Sequence, residues 1–250
     1  MFSAPRPIRC ASAAAALLLA VGCSGGDTPA AAETACGPST LGVERSLTLT
    51  QASPALYDLL EPGEVVLTFD DGPDAKRTRP VLNALSAQCT RATFFLLGKN
   101  AKANPKVVRE IMAAGHTIGS HSLDHANLAY LPLDEGLQNA LDGKAEVDKA
   151  AGISTPLFRY PFVAATPELW EAVRHAGMID VSVNADGLDW EGTTPEEATQ
   201  RILQKLEDSG GKGVVLLHDP FDDSDKRTSY LLQTLKDKGF RVVALDQPEG

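Results

Sequence analysis

Two adjacent carboxylates, Asp70 and Asp71, lie in the stretch Thr68-Phe69-Asp70-Asp71-Gly72-Pro73, directly after the apolar run Val65-Val66-Leu67. Gly-Pro cannot continue a strand, so the acids fall on a turn at the lip of a buried strand. Neighbouring side chains of a regular strand point to opposite faces, whereas a Gly-assisted turn lets both approach one centre. One acid then suits a hard or borderline cation and its neighbour suits proton transfer. Alone, the hexapeptide reads equally well as a solvated Asp-Gly turn. Further on, His121-Ser122-Leu123-Asp124-His125 holds two of the chain's five histidines. If the segment makes a helical turn, both imidazoles reach one metal. Arg159-Tyr160-Pro161-Phe162 adds a cation, Asp186-Gly187-Leu188-Asp189-Trp190 two acids and an aromatic, and Leu216-Leu217-His218-Asp219 an imidazole after an aliphatic run. Each has a bland explanation: a surface pair, an ordinary loop, a satisfied strand-end histidine. Jointly they offer two histidines and an aspartate as a three-ligand set with positions left for water and substrate.

These side chains need a scaffold that brings separate segments to one rim. From Glu64 onward, strand-like runs alternate with helical patterns. Strands are predicted over 65–69, 92–97, 116–120, 157–159, 179–183, 214–217 and 241–245. Helices are predicted over 77–88, 104–115, 134–150, 166–177, 194–209 and one ending at Gly239; Asn104-Pro105, Thr166-Pro167 and Thr194-Pro195 have the pattern of a helix start. The alternation implies right-handed crossovers, a parallel sheet, and a closed or nearly closed (β/α) barrel, whose chemistry sits where strands end. Residues 41–62 are ambiguous, with strand character at 47–50 and a helical turn at 55–60.

The 250 residues are 43% hydrophobic and 22% charged, in the range of a single α/β barrel domain. A formal charge of −10 argues against nucleic acid or an anionic membrane surface as partner and favours a neutral or cationic ligand. Arg6 and Arg9 precede an apolar, uncharged segment over 11–21, too short to span a bilayer, so residues 1–22 read as a signal peptide. Ala20-Val21-Gly22-Cys23 resembles a lipobox with its Leu one place early, at Leu19. Cys23 is thus the expected lipid site of an envelope lipoprotein, with ordinary cleavage to a periplasmic or secreted protein as the alternative. Residues 23–42 read as a flexible tether and 43–250 as the functional domain. Two arginines and no acid leave with the signal, taking the charge from −10 to −12. Cys36 and Cys89 either pair in an oxidising compartment or stay as thiols, and spacing does not decide.

In this order the five segments resemble the motifs of the polysaccharide deacetylases of NodB-homology type, carbohydrate esterase family four. The likeness runs from Glu64 to Leu245 and includes the link from Phe94-Phe95 through Gly98 to Gly115-His116. It implies a distorted (β/α)7–8 barrel and a hydrolase acting on non-peptide carbon–nitrogen bonds. Its implied substrate is an N-acetylated polysaccharide, peptidoglycan or a chitin-like N-acetylglucosamine polymer. By the same resemblance Asp71, His121 and His125 hold a divalent metal, zinc first, with cobalt or another divalent ion as alternatives. The metal activates water, Asp70 is the general base, and Arg159 keeps Asp70 ionised and oriented. The Phe162 N–H and the metal face the oxyanion, His218 is the general acid tuned by Asp189, and Leu216 and Trp190 line the acetyl pocket. Asp186 is left as a loop-ordering residue, and His116 and His175 as structural. Two departures bear on substrate fit: Val163 stands where the third motif normally continues with Gly, and Arg79 separates Thr78 from Pro80 where a Thr-Pro pair is usual. The alternatives are an O-acetyl (xylan-type) esterase using the same groups and an inert carbohydrate-binding lipoprotein.

Overall fold

A computed structural model of the chain describes Cys36, Gly37 and residues 39–248. The signal segment, the Cys23 lipid site and most of the tether lie outside the described residues. The elements are β1 (Arg45–Leu47), β2 (Glu64–Asp70), α1 (Thr78–Ala87), β3 (Thr93–Leu96), α2 (Gly98–Ala103), α3 (Pro105–Ala113), β4 (Thr117–Ser120), α4 (Leu133–Ala151), β5 (Leu157–Phe158), α5 (Pro167–His175), β6 (Ile179–Asp180), β7 (Ala185–Asp186), α6 (Pro195–Asp208), β8 (Gly213–His218), α7 (Ser224–Asp237) and β9 (Arg241–Leu245).

β2 is the axis of the sheet. Its residues Thr68, Phe69 and Asp70 pair with Thr93, Phe94 and Phe95 of β3, and Val65 to Asp70 pair with Gly213 to His218 of β8 on the other edge. From there the parallel order continues β3-β4-β5-β6 one way and β8-β7 the other, while β9 and β1 attach at the start of β2. β6 and β7 do not pair, so the sheet curls into a barrel with an open seam. Buried on both faces, β2 and β8 read as continuous apolar runs, yet the two-residue period still separates their side chains. Leu67, Phe69, Val215 and Leu217 pack in a cluster with the helices' Val81, Leu85, Ile202 and Leu231. Val66, Val214 and Phe95 fall in the inner cluster with Leu157, Val181 and Leu245. Following the alternation up the strands, Val66, Thr68 and Asp70 form one inward column and Val214, Leu216 and His218 another. The barrel therefore passes from an apolar floor to a reactive rim within each strand.

The segment 41–62 fills the barrel floor: Leu49, Leu56 and Leu60 belong to the inner cluster. Its strand is Arg45–Leu47, earlier than the run at 47–50, and its helical turn is a 3-10 turn at Leu56–Leu59. Three further differences from the sequence reading are local. The strand over 179–183 shortens to Ile179–Asp180, because the Val181 carbonyl is taken by the Arg159 Nε–H at 2.8 Å instead of a strand partner. Asn104 precedes α3 without capping it, its side chain donating instead to the Pro73 and Asn100 carbonyls. α2 is an extra helix between β3 and α3. Thr166 and Thr194 do cap their helices, Thr194 through a reciprocal capping box with Glu197. Cys36 and Cys89 are joined as a disulfide, 53 residues apart in sequence. Among the described residues no helix is long and apolar enough to cross a membrane.

Candidate active site

Asp70 is the last residue of β2, and Asp71 adopts a left-handed φ of 72°. That reversal lets two successive carboxylates face one centre. The turn is fastened by α2 and its lead-in: the Leu97 N–H donates to the Gly72 carbonyl at 3.0 Å and Asn100 Nδ2 to the Asp71 carbonyl at 2.7 Å. The first N–H groups of α2 reach the histidine loop, Gly98 donating to Ser122 and Lys99 to Leu123, each at 2.9 Å. The 121–125 segment is not helical. Ser122 and His125 have φ of 69° and 67°, and this folded-back loop, closed by the His125 N–H on Ser122 Oγ at 3.1 Å, brings the imidazoles to one side. Gly143 of α4 lies beneath it, where a Cβ would overlap the Ser122 backbone.

One ligand atom each from Asp71, His121 and His125 lies within 4.8 Å of the others. His121 Nε2 is 3.6 Å and His125 Nε2 3.4 Å from Asp71 Oδ1, with ring centroids 5.0 Å apart. Asp71 Oδ1 is buried without a hydrogen-bond partner, an arrangement that is unfavourable unless a cation completes it. His121 Nδ1 lies 2.9 Å from the Arg159 carbonyl; an N–H there leaves the Nε2 lone pair toward the cluster. Burial lowers the His121 pKa despite the opposing pull of Asp70 and Asp71, so the ring is held neutral. The donor set fits a divalent metal.

Arg159 is fully buried. Its Nη1 donates to Asp70 Oδ1 at 2.7 Å and to Thr68 Oγ1 at 2.8 Å, and its guanidinium lies 4.1 Å over the Phe95 ring. Asp70 thus faces the ligand cluster with one oxygen, 3.7 Å from His121 Nε2, and Arg159 with the other. At the end of β8, Asp189 grips His218 twice, Oδ1 to Nδ1 and Oδ2 to the backbone N–H, both at 2.8 Å. Burial lowers the His218 pKa, but the hydrogen bond and charge of Asp189, with the fields of Asp70 and Asp71, more than reverse this and raise it to about 9.

Asp70, Asp71, His121, His125 and His218 line one cleft of about 380 Å³ together with Leu216, Trp190 and Phe162. Phe162 has φ 59°. Arg159 and Asp189 stand behind the lining and position it. Asp186 also lines the cleft, its Oδ1 accepting the Leu188 N–H at 2.7 Å. His116 is buried outside the cleft and accepts the Ala92 N–H at Nδ1, its pKa lowered to about 4 by burial. Sequence reasoning missed Asn100, Phe221, the part of Val163 in the lining, and the Asp219–Thr78 hydrogen bond that joins the His218 strand end to the start of α1. Of these, Val163 had already stood out as a departure from the third motif and Asp219 lay inside a quoted segment, whereas Asn100 and Phe221 left no signal.

Fold and rim define a (β/α) barrel with a candidate metal centre between two acid–base pairs. The family model described as Polysaccharide deacetylase matches residues 59–181. A peptidoglycan-N-acetylglucosamine deacetylase of Bacillus cereus is 33% identical over 190 residues, covering 73% of this chain and 86% of that protein. A chitin deacetylase of Colletotrichum lindemuthianum is 29% identical, covering 75% of this chain and 79% of that one. The solved peptidoglycan deacetylase of Bdellovibrio bacteriovorus superposes with a TM-score of 0.73 at 29% identity, over 83% of this chain and 59% of that one. The chain belongs to the polysaccharide deacetylase family. It spans 66%, 38% and 39% of three further curated peptidoglycan deacetylases.

Proposed function

We propose that this chain is a metal-dependent hydrolase that removes acetyl groups from an N-acetylated polysaccharide, peptidoglycan or a chitin-like N-acetylglucosamine polymer. One observation carries the reading: the Asp71-His121-His125 cluster shares a single cleft with the Arg159-bound Asp70 and the Asp189-bound His218. A divalent ion at that cluster, zinc being the first choice for two imidazoles and a carboxylate, supplies Lewis acidity toward water and the acetyl oxygen.

The remaining work falls to the chain's own side chains. Asp70 takes the proton of the attacking water, and the Arg159 Nη1–H bond to Oδ1 fixes that carboxylate in direction. The Phe162 N–H donates to the oxygen that gains charge as the acetyl carbon becomes tetrahedral, a contribution of about 3 kcal/mol for a well-placed donor. A sugar amine leaves poorly as an anion, so His218 delivers a proton to the nitrogen. Asp189 holds the ring with Nδ1 occupied, which aims the proton on Nε2 at the cleft. Leu216 and Trp190 receive the acetyl methyl group. The products are acetate and a free amine.

An O-acetyl ester would meet the same groups. A family-four relative, 25% identical, is described as a pseudoenzyme whose mutant regained activity, so fold alone does not carry catalysis; here every proposed reacting group is present. Peptidoglycan-directed relatives and the signal-like residues 1–22 support an envelope location, with Cys23 as lipid anchor. The test is acetate release from an acetylated chito-oligosaccharide by the mature chain. Release that stops with chelator, returns with added zinc and disappears in Asp70→Asn is expected. Glycan binding without acetate from any acetylated substrate would identify the inert alternative.

A further inference from the structure

Phe162 and Val163 follow one another in the left-handed region, with φ of 59° and 52°. That conformation suits glycine or asparagine and costs other residues about 1–2 kcal/mol each, with a β-branched valine among the worst placed. The tight turn nevertheless holds them there, the Val163 N–H on the Tyr160 carbonyl at 3.0 Å and the Ala164 N–H on the Pro161 carbonyl at 3.2 Å. Strain of this kind persists where the surroundings over-determine it, and it clusters at functional sites.

The strained turn places two apolar side chains at the cleft mouth. Phe162 is 61% and Val163 46% exposed, and the Phe162 ring meets His125 edge-on at 4.6 Å. On the His218 side the lining adds Trp190 and Phe221, also exposed, with Phe221 edge-on to His218 at 5.6 Å. Four apolar groups therefore surround a floor of Asp70, Asp71, Asp186 and imidazoles, and among the described residues no Lys or Arg lines the cleft. A pyranose offering an uncharged face can cover such a mouth. A ring substituent ending in a carboxylate would be desolvated against Val163 with no Lys or Arg in the lining to pair with, which is discrimination by an unfavourable contact.

We propose that Val163 is a specificity-determining residue, a role that rests on the deacetylase reading above. Its isopropyl group narrows the mouth and makes it apolar, so that an unsubstituted, uncharged N-acetylhexosamine is selected over one bearing a carboxylate-ended ether. The glycine-like backbone is kept while a side chain glycine lacks is added.

The test compares kcat/KM for an N-acetylglucosamine oligosaccharide with that for a matched oligosaccharide whose acetylated ring bears the lactyl ether of N-acetylmuramic acid. Wild type should prefer the neutral substrate by at least ~10-fold, the scale of discrimination by pocket shape. Val163→Gly and Val163→Asn, both at ease at positive φ, should cut that ratio at least ~5-fold through KM, with no fall in melting temperature. An unchanged ratio in both variants, or a wild-type preference for the carboxylate-bearing sugar, overturns the role of Val163 alone. A purely structural valine would instead lower both rates together with the melting temperature, and that result also overturns it. Absence of acetate from wild type on either oligosaccharide and on a small acetyl ester would sink the hydrolase reading first, and Val163's role with it.

Discussion

His121 and His218 are both buried, both at the rim, and both close to aspartates, yet they are tuned in opposite directions. The His121 Nδ1 partner is a backbone carbonyl, an uncharged acceptor that fixes the ring without favouring a second proton. Burial then wins and its pKa falls. The His218 Nδ1 partner is the Asp189 carboxylate, whose hydrogen bond and charge outweigh burial and raise the pKa to about 9. In the proposed mechanism the two imidazoles thereby take different tasks, one offering a lone pair to a cation and the other holding a proton to give away. The difference lies behind the rings, in what occupies the nitrogen turned away from the cleft.

The sharpest way to break this contrast is to remove each ring in turn. His121→Ala or His125→Ala should lose zinc binding in calorimetry and reduce acetate release to background. His218→Ala should still bind zinc, while kcat falls about 10²–10⁴-fold, the usual worth of a placed general acid. Equal loss of metal from His218→Ala would merge the two roles. A milder change exchanges the partner. Asp189→Asn preserves size but removes the charge, so His218 should titrate near or below its ordinary 6.5. The alkaline limb of the rate profile should then move from near 9 toward neutrality, with about 10–100-fold lower kcat at pH 8. An unmoved limb would mean that the acid is another group.

A still smaller effect appears in stability. Because the folded His218 pKa is raised to about 9, the stabilisation it gains is fully present below its ordinary 6.5 and is lost as pH rises through about 9. Melting between pH 6.5 and 9.5 should reveal a loss of about 1–3 kcal/mol that is absent in His218→Gln. The same slope in both proteins would place its origin elsewhere.

How much of the pair was legible beforehand follows from which interactions are local. The apolar runs before Asp70 and His218, and the Pro and Gly punctuation around them, are short-range signals, so strand ends and their reactive residues could be read in order. Convergence of Asp71 with His121 and His125 followed from the barrel rule. The means of convergence did not, since HxxxH pointed to a helical turn and the loop instead bends through left-handed Ser122 and His125. That bend depends on α2 and on the close approach of Gly143, contacts set by packing rather than by neighbours in sequence. β7, two residues long, carries too few side chains for any periodicity. The Cys36–Cys89 pairing could not be chosen over free thiols because spacing carries no distance information.

Asp219 joins the two halves of the comparison. It follows His218 in the chain, is fully buried, and accepts the Thr78 hydroxyl with Oδ2, while Oδ1 lacks a partner. Gly72, next to the metal-ligand candidate Asp71, lies so near that a Cβ there would overlap the carboxylate. Burial pushes the Asp219 pKa up to about 7, against the pull of the Thr78 hydrogen bond. The folded state thus binds this proton more tightly than the unfolded chain does, where the ordinary value is about 3.9. Its stabilisation is complete below about 3.9 and disappears as pH rises through about 7, a window lower than that of His218. Asp219→Asn keeps an acceptor for Thr78 and carries no charge at any pH, so it should erase that slope. Relative to wild type it should gain about 3 kcal/mol on going from pH 4.5 to pH 8, measured by denaturant melts. A constant difference between the two proteins across that range would show that Asp219 is already ionised when folded, and the link between the Asp71 turn and the His218 strand would then have to carry a buried charge.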